Sequence, residues 1–279
     1  MVRTVCLFPT DGEPAPLSGS VIFLTDAVAV NGIRLSAPMN QPSPVGNRLL
    51  AALPSGDRDR IVPDLQIVPL RLREVLHKSG EPVRHVYFPD GGFLSIVTVL
   101  EDGRMVEVAT VGREGAVGMA AGLDGLPVSS ASMVQGEHET CYRMAAGAYR
   151  REMDRRGAFY ELLTRYAQAL VGVIMQSTAC NAVHSVEQRL ARWLLMAQDR
   201  MGGDGFPLTQ EFVAMMLGAT RPTVTVVAGT LQKAGLITYH RGHLTILDRE
   251  ELESASCECY RAATKLLKAV TSPPRSVSE

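Results

Sequence analysis

The stretch LTQEFVAMMLGATRPTVTVVAGTLQKAGLITYHRGHLTIL, residues 208–247, has the pattern of short helices around a sharp turn, followed by a small hairpin. Thr209 is expected to cap the first helix, because its hydroxyl can accept a backbone N–H that the first turn leaves unpaired. Gly218 supplies the left-handed residue that ends this helix. Thr220 caps the next helix, and Pro222 is tolerated in its first turn, where the missing N–H has no partner to lose.

The second helix of this stretch is expected to be apolar on one side and polar on the other. The residues that can face a core are Val224, Val227, Ala228 and Leu231, which leaves Arg221, Thr223 and Thr225 exposed. Two strands, at 236–239 and 243–247, then meet at Arg241-Gly242. This order predicts a winged helix-turn-helix, whose second helix fits the major groove of DNA. An ordinary helical hairpin followed by a β-hairpin has the same apolar spacing, so periodicity alone leaves DNA binding open.

Charge limits the nature of any nucleic-acid contact. Residues 185–247 hold six Lys or Arg against four Asp or Glu, so this segment is only mildly basic. The whole chain of 279 residues has a formal net charge of −1, which argues against a pervasive surface for polyanions. Its apolar content of 46% is enough for two ordinary domains with cores of their own. Any contact with DNA must therefore be local.

The composition also bears on membranes and metals. No stretch approaches the roughly 18 uninterrupted apolar residues that a membrane helix needs, so we expect a soluble, cytoplasmic protein with no membrane partner. The five cysteines are scattered and odd in number, which favours reduced thiols. Cys257 and Cys259 form a C-x-C pair, but on a predicted helix they point about 200° apart, so we expect no metal there. Cys180 is interpreted as a small buried residue at a helix interface.

The N-terminal segment, residues 1–45, is rich in proline, glycine and serine and shows no sustained helical or strand period. We expect poor order there. Met39 is a second candidate translation start, because a coherent amphipathic pattern, NRLLAALP at 47–54, begins only eight residues later. Finding residues 1–38 in the protein from its native cell would contradict that start.

Between about Ile61 and Met144 short apolar runs are divided by turn signals, which is typical of strands. The runs are VRHVYFP, FLSIVTVL, MVEVATVG, SASMVQG and TCYRM. The sequence Glu101-Asp102-Gly103 predicts a tight hairpin turn between the second and third of them. Many short strands with no long helix among them indicate a small antiparallel roll or barrel, an architecture that commonly encloses a ligand.

A long helical stretch starts near Tyr149. Its apolar positions step alternately by four and three, the spacing of a coiled-coil seam, at Phe159, Leu163, Tyr166, Leu170, Val173, Ser177, Cys180 and His184. This spacing favours a symmetric homodimer. The flanking residues Leu162, Val171 and Ile174 widen the apolar stripe, so the alternative is a helix packed on its own β-domain, and both contacts can coexist.

A roll, a long helix and a winged helix-turn-helix, in this order, resemble the Crp/Fnr transcription regulators. The most specific pieces are VGREGAVGMAAGLDG (111–125), SVEQRLARWLL (185–195) and the helix-turn-helix itself. The resemblance spans roughly 47–247 and implies an α+β fold: an antiparallel β-roll (cyclic-nucleotide-binding-like jelly roll), a long dimerisation helix and a C-terminal winged helix-turn-helix domain. The expected ranges are a poorly ordered extension at 1–45, a sensor roll at 46–150, a dimerisation helix at 151–184, a DNA-binding domain at 185–250, and a C-terminal helix and tail at 251–279.

The resemblance implies that the helix beginning at Thr220 recognises DNA. Arg221 matches an arginine that the family uses for base or phosphate contact, and its guanidinium could bind guanine O6 and N7. Pro222 replaces the family's usual glutamate, and Val226 replaces a second arginine, so the family's half-site preference is not expected. Candidate contacts to bases or phosphates come from the helices and the wing, at Thr209, Gln210, Thr220, Arg221, Pro222, Thr223, Thr225, Arg241 and His243. The alternative for each of these residues is an ordinary solvated surface residue.

The roll departs further from the family. Cyclic-nucleotide binders have a glutamate for the ribose and an arginine for the phosphate, but the matching stretches here are Gly118-Met119-Ala120-Ala121 and Ser129-Ser130-Ala131. We therefore predict weak or absent binding of cyclic AMP. The candidate effector pocket is formed by Val117, Gly118, Met119, Ala120, Ser129 and Ser130. Only Cys6 and Cys141 stand before or within the roll, too few for an iron–sulfur cluster, and haem ligation by His77 or His85 is not expected, so no cofactor is predicted.

Two further functions compete with that of a regulator. Rolls of this shape also occur in cupin-like enzymes, but the six histidines form no H-x-H pair with a downstream glutamate among the strands, and no catalytic motif is present. We therefore predict that the chain is not an enzyme. The other alternative is a ligand-binding dimer that has lost DNA contact, because the segment expected to bind DNA has only a small excess of basic residues. The expected partners are double-stranded DNA, a second copy of the chain, RNA polymerase, and one unidentified effector or none.

Overall fold

The computed structural model describes residues 46–122 and 126–272. In these residues the chain forms a β-roll, a pair of helices that follow it, and a C-terminal domain of helices around a small sheet. The predicted fold class is therefore confirmed. The expected disorder of the N-terminal extension and the alternative start at Met39 both lie outside the described residues.

In the described part of the roll there are seven strands: β1 (Leu65–Leu70), β2 (Val75–His77), β3 (His85–Pro89), β4 (Phe93–Val99), β5 (Met105–Val111), β6 (Ser130–Gly136) and β7 (His138–Ala145). They form two antiparallel sheets, in the orders β1-β7-β3 and β2-β6-β4-β5. The runs identified in the sequence correspond to β3 through β7. The sequence did not single out β1 and β2, because they are short or largely exposed and lack a clean alternation of apolar and polar residues.

The turn between β4 and β5 is the hairpin expected at Glu101-Asp102-Gly103. Gly103 adopts a positive φ of 83°, a conformation that costs glycine little. The Asp102 carboxylate accepts the backbone N–H of Arg104 at 3.0 Å. The two strands pair from Leu94 to Val99 of β4, with a bulge between Ile96 and Val97. A local signal therefore sets the register of the central hairpin of the roll.

A buried asparagine anchors the start of the roll. Two short helices, α1 (Arg48–Ala51) and α2 (Ser55–Ile61), precede a 3-10 turn at Val62–Asp64. Asn47 is fully buried and caps α1, and its amide donates to the carbonyls of Pro89 at 2.8 Å and Gly115 at 3.0 Å. A buried side-chain amide needs such partners, because leaving it unsatisfied costs about 1–3 kcal/mol.

The predicted long helix is two helices, α3 (Ala146–Asp154) and α4 (Ala158–Val183). The chain turns between them at Arg156, which has a positive φ of 55°. Phe159 at the start of α4 packs against Tyr149 of α3 and Phe88 of β3. Aromatic contacts therefore join both helices to the roll.

The predicted dimer seam needs correction. Seven of the eight positions predicted for it, all except the partly exposed His184, are buried within the single chain: Phe159, Leu163, Tyr166, Leu170, Val173, Ser177 and Cys180. The first four belong to the core of the roll, and Cys180 packs against Cys257 and Cys259. The physical reason is that this apolar stripe serves the chain's own β-domain, which was the alternative considered for it. The face of α4 available to a partner is the opposite one.

The C-terminal domain contains five helices and three strands: α5 (Val186–Met201), β8 (Gly205–Pro207), α6 (Gln210–Leu217), α7 (Arg221–Lys233), β9 (Ile237–His240), β10 (His243–Ile246), α8 (Arg249–Ala255) and α9 (Cys259–Val270). Ser185 and Gln188 form a capping box that begins α5. The strands pair in the order β8-β10-β9. The hairpin of β9 and β10 matches the prediction, whereas β8, three residues that include glycine and proline, carried no recognisable signal.

Helix α9 returns to the roll side of the molecule and packs along α4. Gly172 permits this close approach, since a Cβ placed there would lie 3.1 Å from Leu266 Cδ1. The segment between α4 and α9 includes the whole helix-turn-helix. Among the described residues no single helix is long and apolar enough to cross a membrane, and only the bent pair α6 and α7 meets that criterion jointly.

Candidate nucleic-acid interface

Local signals set the geometry of α6 and α7. The Thr209 hydroxyl accepts the N–H of Phe212 at 3.3 Å, and the Thr220 hydroxyl accepts that of Thr223 at 3.4 Å. Gly218 ends α6 in the left-handed conformation, with φ at 58°. The two helix axes meet at 105°, which lies within the range of helix-turn-helix motifs.

Helix α7 presents one side to the core and the other to solvent. Val224, Ala228 and Leu231 are buried, whereas Arg221 and its neighbours on the opposite side are exposed. The Arg221 guanidinium forms no hydrogen bond or ion pair within the described part of the chain, so all its donors remain available. An exposed N-terminal half is what a recognition helix requires, because those residues contact base edges.

A side-chain bond joins the two helices at their exposed ends. The Thr225 hydroxyl donates to Gln210 Oε1 at 2.7 Å and lies 3.0 Å from the Arg221 carbonyl oxygen. The hydroxyls of Thr220 and Thr223 are 2.8 Å apart. Several of the predicted contact residues therefore form hydrogen bonds with one another that fix the shape of this surface.

The wing lies next to the start of α6. At its tip Arg241 and Gly242 both have positive φ, as a tight two-residue hairpin turn needs. The Leu208 N–H donates to the Gly242 carbonyl at 2.7 Å, and the Tyr239 hydroxyl donates to the Leu208 carbonyl at 2.8 Å. Both Arg241 and His243 are exposed. The structure therefore places the predicted wing residues at the surface and Pro222 at the exposed start of α7.

Val226 is exposed to solvent over 70% of its surface, although its side chain is apolar. It follows Thr225 on α7. The sequence analysis noted Val226 only because it replaces an arginine of the family. It did not predict that this apolar side chain is exposed on α7. An apolar side chain in the major groove can contact the methyl group of thymine.

Buried contacts fix the C-terminal domain to the roll. Trp193 of α5 stacks edge-on against Phe93 of β4, and its indole N–H donates to Glu107 Oε1 at 2.9 Å. The Ser95 hydroxyl donates to the other oxygen of Glu107. Burial raises the pKa of Glu107 to about 7, although these two hydrogen bonds oppose the shift. Nearby, the Arg200 Nε of α5 donates to Glu114 of the roll at 2.9 Å.

The effector candidates line a cavity of about 150 Å³ inside the roll. The cavity contacts five of the six, namely Val117, Gly118, Met119, Ala120 and Ser130, whereas Ser129 is exposed and lies outside it. Its only titratable lining residue among those described is His77, whose Nε2 lies 2.8 Å from the His85 carbonyl oxygen. Burial lowers the pKa of His77, so the ring is neutral near pH 7. Leu170 of α4 forms one wall and connects the cavity to this helix.

Three thiols and an imidazole meet at the end of α4. Cys180 and His184 are one helical turn apart, Cys257 lies in the connection after α8, and Cys259 begins α9. Their potential ligand atoms all lie within 4.8 Å of one another. Cys257 and Cys259 were expected to diverge because both were assigned to one helix. That premise is wrong, because the connection before α9 turns Cys257 to the same side.

Two domain models match the chain. Residues 67–156 match the model of the cyclic nucleotide-binding domain, and residues 188–255 match that of the Crp-like helix-turn-helix domain. Together the two models cover more than half of the chain. No curated protein sequence matches the chain significantly.

Several solved structures share the fold. A protein assigned to the Crp/Fnr regulators from Eubacterium rectale has a TM-score of 0.57 at 20% identity, over 75% of this chain and 97% of its own. A regulator of the CRP family from Thermus thermophilus has a TM-score of 0.56 at 20% identity, over 67% and 95%. The c-di-GMP responsive regulator CLP from Xanthomonas campestris has a TM-score of 0.57 at 15% identity, over 70% and 100%. At such identities the likeness concerns the fold.

Proposed function

Because this chain belongs to the Crp/Fnr family of transcriptional regulators, we propose that it binds specific DNA sequences as a homodimer through α7. The observation that carries this proposal is the free, exposed surface at the start of α7. Among the described residues, the Arg221 side chain forms no hydrogen bond or ion pair and Val226 is largely exposed, while Gln210 holds the neighbouring Thr225 in place. A regulator of this kind works in the cytoplasm, where it meets genomic DNA and RNA polymerase.

Different residues would supply different parts of the contact. Arg221 would bind a guanine edge, and Val226 would contact a thymine methyl group. Thr209 and Thr220 lie at helix N-termini, where backbone N–H groups also favour phosphate. Arg241 and His243 in the wing would contact the adjacent backbone, positioning the protein without selecting a sequence.

Selection of bound genomic fragments by the purified chain, followed by gel shift, tests the proposal. Arg221→Ala is expected to weaken binding to the selected site by about tenfold or more, since a bidentate contact to a base is worth about 1–3 kcal/mol. Arg151→Ala is the matched control, because Arg151 is exposed on α3 and pairs with Asp64 at 3.2 Å. Equal binding by both variants would exclude Arg221 as a reader. Failure to enrich any fragment would favour the ligand-binding dimer without DNA contact.

The proposed dimer uses the outer face of α4. Exposed residues recur there at steps of four and three: Thr164, Gln168, Val171, Met175, Thr178 and Ala182. Val171 and Met175 are 55% and 67% exposed in the single chain, although both are large and apolar. This spacing is that of a two-stranded coiled coil, so a second copy of α4 could cover both side chains. A dimer would place two α7 helices against half-sites about one turn of DNA apart.

We propose that the roll acts as a sensor but does not bind cyclic AMP. No carboxylate or guanidinium lines the described cavity, so neither a ribose nor a cyclic phosphate would find its charged partner. Its volume is also below the roughly 300–1,000 Å³ of typical small-molecule sites. The same lack of charge argues against c-di-GMP, to which the Xanthomonas regulator responds. A small apolar effector, or none, fits the cavity best, and Leu170 would transmit its presence to α4.

A further inference from the structure

We propose that Cys180, His184, Cys257 and Cys259 bind a single zinc ion, which attaches α9 to the junction between α4 and the DNA-binding domain. The proposal goes beyond the regulatory function and does not depend on it. It rests on the positions of the four side chains, on the groups that surround them, and on the charge balance of the site.

The distances suit one tetrahedral ion. Cys180 Sγ lies 3.5 Å from Cys257 Sγ, and Cys259 Sγ lies 3.6 Å from His184 Nδ1. Bonds of about 2.3 Å to sulfur and 2.0 Å to nitrogen place neighbouring ligand atoms of tetrahedral zinc about 3.5–3.8 Å apart. A disulfide would instead need about 2.05 Å between sulfurs. Thiolates with one imidazole are a donor set that selects zinc.

The surroundings orient the ligands as in known zinc sites. His184 turns Nδ1 toward the thiols, while its Nε2 lies 3.2 Å from Glu258 Oε2. A carboxylate on the second nitrogen fixes the ring and strengthens the first nitrogen as a ligand. The Gln176 amide donates to Cys259 Sγ at 3.1 Å and so helps to hold this sulfur in place.

The negative charge of a zinc site would compensate two buried positive charges nearby. Arg189 and Arg192 are both buried, and among the described residues neither forms an ion pair with a carboxylate. The Nε atom of each is buried without a hydrogen-bond partner. Three thiolates and a neutral imidazole around Zn²⁺ carry one net negative charge. Because buried charges need compensation, that negative site would stabilise both guanidiniums.

The location gives the ion a structural role. Cys180 lies in the last turn of α4 and His184 ends that helix, Ser185 caps α5, and the other two ligands, Cys257 and Cys259, precede and begin α9. With four protein ligands the site has no open position, which distinguishes structural zinc from catalytic zinc. The ion would therefore link the end of α4 to the start of α9, at the point where the DNA-binding domain leaves α4.

Metal analysis of the full chain, purified under reducing conditions, tests the proposal. We expect one zinc per chain and, after exchange, the intense sulfur-to-cobalt absorption of tetrahedral Co²⁺ thiolate. Cys257→Ser and Cys180→Ser should each lose the zinc. Cys141→Ala, at a buried cysteine of the roll, should retain it. Chelation should lower the unfolding temperature of the wild type.

Two outcomes would overturn the proposal. One is a reduced wild-type chain that contains no zinc and develops no cobalt absorption on titration with Co²⁺. The other is undiminished zinc in Cys180→Ser and Cys257→Ser alike. The cobalt titration uses only the wild-type protein, so it remains decisive if a variant does not fold. Neither result depends on DNA binding, so failure of the zinc site would leave the regulatory proposal intact.

Discussion

The guanidinium of Arg200 in α5 lies 2.6 Å from the carboxylate of Glu114 in the roll and forms a buried ion pair between the two domains. The same guanidinium donates to the carbonyls of Met196 at 2.8 Å and Thr110 at 3.3 Å. Glu114 also accepts the N–H of Gly112 at 3.0 Å. Several partners therefore satisfy each charge. The pair thus fixes the orientation of the DNA-binding domain relative to the roll.

Replacing Arg200 by methionine should destabilise the chain. Removal of one member of a buried pair leaves the other charge without compensation, at a cost of about 3–5 kcal/mol. Urea unfolding measures this change. Arg104→Met is the control, since Arg104 and Asp102 form an exposed pair at 2.7 Å that is worth no more than about 1 kcal/mol. Similar losses in both variants would contradict a special role for Arg200.

The contact between Trp193 and Glu107 should depend on pH. Burial raises the pKa of Glu107 to about 7, so the folded chain holds its proton more tightly than the unfolded chain, in which the pKa is about 4.5. The stabilisation is therefore complete below about pH 4.5 and is lost as the pH rises through 7, on the order of 3 kcal/mol in total.

Glu107→Gln should remove this dependence, because an amide can still accept the indole N–H but does not ionise. The fluorescence of Trp193, the one tryptophan of the sequence, followed during unfolding between pH 5 and 8, measures the effect. Glu101→Gln, at the exposed β4–β5 turn, should keep the wild-type profile. An unchanged profile in Glu107→Gln would show that this carboxyl does not cause the pH dependence.

Substitutions of Val226 and Val224 should separate effects on DNA recognition from effects on the stability of the fold. Val226→Ala is expected to leave the unfolding free energy within about 0.5 kcal/mol, since its side chain is largely exposed. It should reduce the preference for thymine at one position of the selected DNA. Val224→Ala should instead cost roughly 2 kcal/mol, because that side chain is buried. An unaltered base preference in Val226→Ala would remove this residue from the interface.

Met175→Glu should convert the proposed dimer to a monomer. A charge on the outer face of α4 would have to be buried in the seam, whereas in the single chain it stays in water. Sedimentation velocity measures the change in mass. Leu126→Glu, at a loop residue that is 66% exposed, makes the same substitution elsewhere and should leave the mass unchanged. A Met175→Glu chain that remains dimeric would place the interface on another surface.

Cyclic AMP should produce no measurable heat of binding in calorimetry up to millimolar concentration. The described residues that line the cavity include neither the carboxylate nor the guanidinium that the nucleotide requires, and loss of a bidentate contact to phosphate costs orders of magnitude in affinity. A micromolar dissociation constant at this pocket would contradict the prediction.

The helix-turn-helix could be predicted because its signals are local. The caps at Thr209 and Thr220 and the left-handed Gly218 each act within a few residues. The orientation of α4 could not be predicted from the sequence, because residues spaced alternately by four and three occur on both faces of this helix. Only the packed roll and α9 show which face is inside.

The cysteine cluster was missed for a related reason. Cys180 and Cys257 are 77 positions apart, and only the return of α9 to α4 brings them together. The C-x-C pair was discounted on the assumption of a continuous helix. A usable signal was present in Cys180 and His184, which stand four residues apart and share one face of a helix.

The packing of α9 along α4 restricts how the DNA-binding domain can move. A segment attached at one end could swivel in any direction about its tether. This domain has two connections of that kind, at the junction after α4 and again where α9 lies against Gly172, and its buried Arg200–Glu114 contact with the roll would have to open before it could move about them. A body held at two points can rotate only about the line that joins them. The pair of α7 helices in a dimer would therefore open and close along a single arc, so one small displacement at that line would set the spacing of both.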